Sequence, residues 1–339
     1  MYLNEFVEIE FMGDVNHREV SYLPTIWSPL SGSPKACLIN SGVMKCGILF
    51  FIFAIAALFS CNGTGASASP DDKLRGSIDS IISAHDGTVG VAVLCDGNVL
   101  AAGDTAQLPL MSIFKLHGAI ALLGTDIDID SLITVDSTNL ALNTYSPIRD
   151  SIGGGSAALT VDRLLQYSVG RSDNNACDIL IDLAGGIDRI DRCIRDMGIS
   201  GCTLSETEAT MHEDILRSYR NKSTAEALCR VMEAVYGDKV LTPDQCGYLR
   251  SLLQNSTTGR EKIASGLPAG AFAGHKSGMS DRDAGGMRLA TGDVAAIALP
   301  DGRMAFLAIL VKDSHETSEQ SALLFKEIAE AVYGSLTNP

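Results

Sequence analysis

Apolar residues recur at helical spacing soon after Pro70. From residue 88 to 95 the pattern changes to the alternation that is typical of a strand, and the turn dipeptide Asp96-Gly97 follows. A second short apolar stretch returns at 99–102. This part of the chain therefore predicts a helix followed by a β-hairpin.

The middle of the chain is mostly helical in pattern, with short amphipathic stretches separated by Gly-rich breaks. Strand character returns only near the end, at 271–279, 294–299 and 304–311. A last helix is predicted from about residue 319 to 333. Strands are thus expected at both ends of the folded part and helices between them.

This arrangement predicts an α+β fold with one five-stranded antiparallel sheet, flanking terminal helices and an inserted all-helical lobe. The α/β lobe would comprise 70–104 and 265–339, and the helical lobe 105–264. Clefts between lobes are common ligand sites, so we expect the functional site at their boundary.

An apolar run at 48–59, just after Lys45, has the charge-then-apolar layout of a secretory signal and is too short to span a bilayer. We therefore predict a signal peptide over 44–61 and a periplasmic protein. Ser60 before Cys61 resembles a bacterial lipoprotein cleavage box, which would leave a lipid anchor at Cys61 and attach the protein to a membrane. Ordinary signal cleavage near 66–69 is the alternative.

Residues 1–43 hold the only tryptophan of the chain and no periodic element. Since a signal peptide normally begins at the N-terminus, we interpret Met44 as the true start and 1–43 as a misassigned extension. A disordered cytoplasmic tail is the alternative. Residues 62–69, rich in Gly, Ser and Ala, are interpreted as a linker.

The formal net charge is −15 and no basic stripe is present, which argues against a nucleic-acid partner. The nine cysteines show no paired CxxC spacing, so a structural zinc site is not expected. Cys177 and Cys229 lie on apolar faces of predicted helices, where cysteine acts as a small buried residue. We expect no metal and no organic cofactor.

Three short motifs supply different chemical parts of one acyl-transfer site. They are Ser112-x-x-Lys115, Ser172-Asp173-Asn174 and Lys276-Ser277-Gly278. On a helix, the first serine and lysine lie one turn apart, so the amine can take the hydroxyl proton. Taken singly, each motif also has a purely structural explanation. The first could be a solvated Ser–Lys pair on a helix face, the second a cluster that caps a helix N-terminus, and the third a lysine on an edge strand. Their occurrence together and in this order favours the catalytic interpretation.

In this order the trio resembles the serine β-lactamases and penicillin-binding proteins. The resemblance to class A β-lactamases covers about residues 70–335, and it implies an antibiotic-resistance hydrolase that opens the lactam ring of cephalosporins and penicillins. Ser112 would be the nucleophile and Lys115 its base, unless Glu208 fills that role through a water molecule. Ser172 would pass a proton to the lactam nitrogen, and Lys276 would bind the substrate's carboxylate.

The resemblance also implies which residue activates the hydrolytic water. In class A enzymes this glutamate lies 36 residues beyond the first serine of the second motif, and Glu208 occupies that place here. Glu206 is a close rival. The loop around this glutamate is usually held by an Arg–Asp ion pair, but the matching residues are Glu206 and Asn221. We therefore expect the loop to be held differently.

The same resemblance assigns the walls of the substrate site. Asn174 would bind the side-chain amide, and backbone N–H groups of Ser112 and Met279 would form the oxyanion hole. Lys262, with Arg260 as the alternative, would provide a second cation for the carboxylate. The remaining substrate contacts would be Tyr145, His212, Ser277 and Gly278.

Two histidines resemble the extended-spectrum cephalosporinase branch: His212, where asparagine is common, and His275 before the lysine of the third motif. The disulfide that many class A enzymes carry is absent, because Ala119 occupies the position of its first cysteine. The resemblance implies a monomer. A penicillin-binding D,D-peptidase and a non-catalytic envelope lipoprotein of the same fold remain alternative functions.

Overall fold

The computed structural model describes residues 69–338. The predicted extension, the predicted signal peptide with Cys61, and residues 62–68 of the predicted linker lie outside the described residues. Within 69–338, no helix combines the length and the apolar character that crossing a membrane requires.

Ten strands are present among the described residues, and five of them form the main sheet. In chain order they are β1 (Thr88–Cys95), β2 (Asn98–Gly103), β3 (Leu108–Pro109), β4 (Leu132–Asp136), β5 (Ser156–Thr160), β6 (Cys202–Thr203), β7 (Lys222–Ser223), β8 (Phe272–Met279), β9 (Arg288–Ala298) and β10 (Met304–Ser314).

Ten α-helices accompany these strands in the described part of the chain. They are α1 (Pro70–Ser83), α2 (Phe114–Leu123), α3 (Pro147–Ile152), α4 (Val161–Leu165), α5 (Asn174–Leu183), α6 (Ile187–Asp196), α7 (Glu208–Glu213), α8 (Ala225–Tyr236), α9 (Pro243–Gln254) and α10 (Ser318–Thr337).

The main sheet has the order β2-β1-β10-β9-β8, and all neighbouring strands are antiparallel. β1 pairs with β10 with Val91 opposite Ile309, so the two ends of the described chain meet in one sheet. The predicted five-stranded antiparallel sheet is therefore confirmed.

The segment between β2 and β8 is mainly helical, but it also holds two small sheets, β3-β7-β6 and β4-β5. The prediction of an all-helical lobe is therefore wrong in this respect. β3, β6 and β7 have two residues each and are too short to show an alternating pattern, whereas β4 and β5 have five residues each and were missed.

β9 begins at Arg288, six residues before its predicted start at residue 294. Its first half contains buried polar residues and a glycine, so it lacks the apolar run expected of a central strand. The glycine has a packing reason: a Cβ on Gly292 would lie 2.8 Å from a Leu310 methyl group and 3.0 Å from an Ile113 methyl group. The sheet therefore lies directly against the turn that carries Ser112.

Each face of the main sheet covers its own hydrophobic core. One core packs the sheet against α1 and α10 through residues such as Ile78 and Phe325, and the other packs it against the helical segment. α2 is buried along its whole length, including Phe114 and Leu122. Burying one such side chain contributes about 1.5–3 kcal/mol, so α2 is a rigid central support. The residues at the N-terminus of α2 are therefore also held rigidly.

Candidate active site

Ser112 lies in a single 3₁₀ turn, Met111–Ile113, that leads directly into α2. Met111 has φ of +46°, in the left-handed region that costs energy for a residue with a side chain. β8 passes beside this turn, since a Cβ on Gly278 would lie 2.6 Å from Leu110 O and 2.9 Å from Ser112 N. Only glycine allows this approach of the strand to the hydroxyl-bearing turn.

The buried amine of Lys115 is surrounded by four oxygens. Its Nζ lies 2.6 Å from Ser112 Oγ, 2.6 Å from Asn174 Oδ1, 2.6 Å from Glu208 Oε1 and 3.1 Å from Ser172 O. As an ammonium group Lys115 has three N–H donors for these four oxygens, whereas as a neutral amine it has two donors and a lone pair that can take the Ser112 proton. The geometry allows a proton to move between the Ser112 hydroxyl, the Lys115 amine and the Glu208 carboxylate.

Glu208 is the first residue of α7 and is 4% exposed. The N–H groups of Glu208 and Ala209 each donate to the Asp178 carboxylate at 2.8 Å, which fixes the start of α7 against α5. Burial raises the pKa of Asp178 to about 6. Of the two glutamates considered from the sequence, the structure brings Glu208 to Lys115.

Glu206 has a different environment, on the other side of the same loop. Its carboxylate pairs with Arg220 at 2.8 Å and lies 3.7 Å from Arg217. The buried Asn221 donates to Glu206 O and accepts from the N–H groups of Ser205 and Glu206. An amide and a Glu–Arg pair thus hold this loop.

Ser172 and Lys276 meet across the cleft. Lys276 Nζ donates to Ser172 Oγ at 3.0 Å and to Ser277 O at 2.9 Å. Ser172 has φ of +59°, a second strained position beside the cleft. Burial, together with the charge of Lys115, lowers the pKa of Lys276 to about 7. The cation of the third motif therefore titrates near neutral pH.

The second motif is both a helix cap and part of the site. Asp173 is the N-cap of α5 and also accepts from Ser146 Oγ and from the backbone N–H of Ile148. Burial raises its carboxyl pKa. The neighbouring Asn174 donates its backbone N–H to Tyr145 O at 3.1 Å. One tripeptide therefore joins the reacting groups to the loop that carries Tyr145.

His212 lies one helical turn after Glu208, on α7. Its Nδ1 is 2.7 Å from Glu208 O, and its Nε2 is 2.9 Å from the hydroxyl of Thr144. Thr144 also accepts from Asn174 Nδ2 at 2.6 Å. Sequence reasoning missed Thr144, although its place directly before Tyr145, in the segment identified as a cleft wall, could have pointed to it.

Lys262, predicted to bind the substrate carboxylate, is buried and makes three hydrogen bonds within the protein. Its Nζ donates to Gly278 O at 3.0 Å, to Thr291 Oγ1 at 2.8 Å and to Gly292 O at 3.1 Å. These three acceptors take all three N–H donors, so Lys262 joins β8 to β9 and has no donor left for a substrate carboxylate. Burial lowers its pKa to about 8.

Arg260, the alternative to Lys262, has its own protein partners. It donates to the carbonyls of Ser256 and Gln254 and lies over the ring of Phe272. Two arginines that the sequence did not single out, Arg282 and Arg288, line the same part of the cleft as Lys262.

The cleft has two parts that share Ser112. One, of about 490 Å³, also contacts Glu208 and His212. The other, of about 570 Å³, also contacts Ser172 and Ser277. Tyr145 and Met279, 57% and 52% exposed, line both parts. The cleft can therefore hold a bulky substrate on both sides of the serine hydroxyl.

The described part of the chain holds neither a cluster of metal ligands nor a disulfide. Residues 69–338 contain no group of three His, Cys, Asp or Glu side chains placed to hold a metal ion. The six cysteines in that range are free thiols, and Cys177 and Cys229 are buried.

The chain is similar to known proteins over most of its length. The family described as the β-lactamase enzyme family matches residues 73–336. A β-lactamase of Bacteroides uniformis is 37% identical, over 84% of this chain and 99% of the relative. The extended-spectrum β-lactamase PER-1 of Pseudomonas aeruginosa is 33% identical, over 77% of this chain and 86% of the relative.

Solved structures give the same result. A class A β-lactamase from Bacteroides cellulosilyticus has a TM-score of 0.77 and 34% identity, covering 80% of this chain and 100% of that structure. The extended-spectrum β-lactamase TLA-1 has a TM-score of 0.75 and 32% identity, covering 79% of this chain and 100% of that structure. With the sheet topology and the assembled trio, these similarities show that the chain belongs to the class A β-lactamases of the β-lactamase enzyme family.

Proposed function

We propose that this protein hydrolyses the β-lactam amide of cephalosporins and penicillins through a covalent acyl-enzyme on Ser112. The observation that carries the proposal is the placement of Lys115 Nζ 2.6 Å from both Ser112 Oγ and Glu208 Oε1. The similarity to β-lactamases, one of them the extended-spectrum enzyme PER-1, supports it.

In the first step, Ser112 Oγ attacks the lactam carbonyl and its proton passes to Lys115, or to Glu208 through a water molecule. The backbone N–H groups of Ser112 and Met279 stabilise the negative charge that develops on the carbonyl oxygen. The lactam C–N bond breaks, and Ser172 delivers a proton to the leaving nitrogen. Its hydrogen bond to Lys276 orients that hydroxyl.

In the second step, Glu208 takes a proton from a water molecule, which attacks the acyl carbonyl. The bond from the carbonyl carbon to Ser112 Oγ breaks, and the proton held by Glu208 passes through Lys115 to Ser112 Oγ, which restores both groups. The contact of Glu208 with Lys115 favours a hydrolase over a slow-releasing peptidase, because it places a base beside the ester.

Substrate recognition would use the hydrogen-bond donors in the cleft that the protein itself leaves free. Asn174 uses one of its two amide N–H donors on Thr144, which leaves the other for a carbonyl in the substrate's side chain. Lys276 and Ser277 bind the carboxylate. Arg282 and Arg288 add positive charge to that half of the cleft.

The proposal includes export to the periplasm as a monomer, with the signal peptide over 44–61 and a lipid anchor at Cys61. The support is the charge-then-apolar sequence pattern. Fractionation of cells that express the full chain or its Cys61→Ala variant tests it. Membrane association that is lost in the variant is expected, and equal release of both forms would contradict the anchor.

Hydrolysis itself is tested with the exported protein purified from cells. Turnover of a penicillin and of a chromogenic cephalosporin is expected, together with mass-spectrometric labelling by a penicillin that Ser112→Ala abolishes. Stable labelling without turnover would indicate a D,D-peptidase, and no labelling at all would indicate a non-catalytic protein.

A further inference from the structure

We infer that Thr144 is a positioning residue for acyl-enzyme hydrolysis: through His212 it holds Glu208, and through Asn174 it holds Lys115. This inference rests on the proposed function. It assigns a task to a side chain that lies at the edge of the cleft, outside the three motifs.

The direction of each hydrogen bond follows from the acceptor at one end. Glu208 O is a carbonyl and can only accept, so His212 Nδ1 carries the proton of that 2.7 Å contact. In a neutral imidazole the other nitrogen, Nε2, is then an acceptor. The Thr144 hydroxyl must therefore donate to Nε2 at 2.9 Å.

The other side of Thr144 completes the arrangement. With its proton directed to His212, the Thr144 oxygen still has lone pairs, and it accepts from Asn174 Nδ2 at 2.6 Å. Asn174 Oδ1 then faces Lys115 Nζ at 2.6 Å. The hydrogen bonds therefore run in one consistent direction from the α5 amide to the α7 backbone.

An ion pair closes this chain into a ring, since Lys115 Nζ also lies 2.6 Å from Glu208 Oε1. Lys115, Asn174 and Glu208 are 1%, 8% and 4% exposed. Hydrogen bonds are stronger at such low exposure, and each member of a ring depends on its neighbours. Removing one hydroxyl should therefore loosen groups that it does not touch.

The segment held by this ring needs support. α7 has only six residues, and a helix so short has little stability of its own. Both ring nitrogens of His212 are used within the protein, so His212 acts as a brace between α7 and the loop that carries Tyr145. A general base must stay within hydrogen-bond reach of its water, and a displacement of about 1 Å can cost roughly 10²-fold in rate.

The test compares Thr144→Val, which keeps the shape but lacks the hydroxyl, with Thr144→Ser, which keeps the hydroxyl. Acylation and deacylation are measured separately in the exported protein, by rapid mixing and by the decay of the acyl-enzyme in mass spectra. We expect the valine variant to deacylate about 10–100-fold more slowly while acylation changes far less, and the serine variant to stay near wild type.

A second readout follows the tautomer. Nitrogen NMR of His212 should show a protonated Nδ1 and a hydrogen-bonded Nε2 in the wild type, and a weakened Nε2 hydrogen bond in the valine variant. Thr144 is partly exposed, so folding should survive, and Thr144→Ala provides a second variant without the hydroxyl.

Several outcomes would overturn the inference. Unchanged deacylation in the valine variant would do so, as would equal slowing in the valine and serine variants or a change confined to KM. A protonated Nε2 in the wild type would contradict the direction of the hydrogen bonds. Absence of turnover in the wild type would instead overturn the proposed function, and the NMR result would still report on the ring.

Discussion

Lys115 Nζ and Glu208 Oε1 lie 2.6 Å apart, and both side chains are buried. Lys115 is on α2, at the centre of the fold, and Glu208 is the first residue of the short helix α7. This pair joins the group that assists attack by Ser112 to the group that is placed to activate water.

Glu208→Gln should separate the two chemical steps. The amide cannot take a proton from water, so deacylation should slow by about 10²–10⁴-fold while a penicillin still labels Ser112. Accumulation of the acyl-enzyme in mass spectra is the measurement. Glu206→Gln is the matched control, since Glu206 pairs with Arg220 on the same loop, and its deacylation should change only a few-fold. Normal turnover by the Glu208 variant would refute the assignment of the water-activating base.

Deprotonation of Lys276 should make kcat/KM fall as the pH rises, which gives the pH profile an alkaline limb. Burial and the charge of Lys115 lower its pKa to about 7, so the amine loses its proton as pH rises through that value, and the carboxylate loses its cation. A bound carboxylate favours the charged amine, so the limb in kcat should lie at higher pH than the limb in kcat/KM. Lys276→Arg should move the limb upward because guanidinium stays protonated. Identical pH profiles for both proteins would exclude Lys276 as the titrating group.

Lys262→Met should affect stability more than substrate binding. The change removes the Lys262 donor from Gly278 O, Thr291 Oγ1 and Gly292 O, of which Gly278 O keeps a 3.4 Å hydrogen bond from Thr291 Oγ1; the loss of buried hydrogen-bond partners costs about 1–3 kcal/mol. We expect the free energy of unfolding to fall by about 2 kcal/mol in denaturant titrations. Arg260→Ala, at an exposed residue, should cost less than about 1 kcal/mol. A large rise in KM with unchanged stability would instead support direct contact with the substrate.

Gly278→Ala should slow acylation. The added methyl group would lie 2.6 Å from Leu110 O and 2.9 Å from Ser112 N, so β8 must move away from the Ser112 turn. We expect the acylation rate to fall by about 10²-fold, measured by rapid mixing with a chromogenic cephalosporin. Gly155→Ala is the control, because a Cβ there meets no atom within 4 Å. Equal acylation rates in both variants would show that the close approach is dispensable.

The sequence was informative where periodicity or a fixed motif carried the signal. The hairpin at 88–103, the return of strands after residue 271 and the three motifs were all readable, because alternation and local spacing are encoded in neighbouring residues. The early start of β9 was not, because its polar residues are stabilised by partners distant in sequence. Thr291, for example, accepts from Lys262, 29 residues away.

The same limitation applies to the protein contacts of Lys262 and to the omission of Thr144. A lysine near a predicted cleft suggests a free cation, and only the folded geometry shows three acceptors around its amine. Thr144 has no motif of its own, and its importance comes from contacts with Asn174 and His212 that lie 30 and 68 residues away.

The unpaired cysteines have a consequence for maturation. Burial raises the thiol pKa of Cys95, Cys177, Cys193, Cys202 and Cys229. Little thiolate therefore forms to react with oxidants or to exchange with other proteins. Since residues 69–338 contain no disulfide, we expect the same fold to form in reducing and in oxidising surroundings.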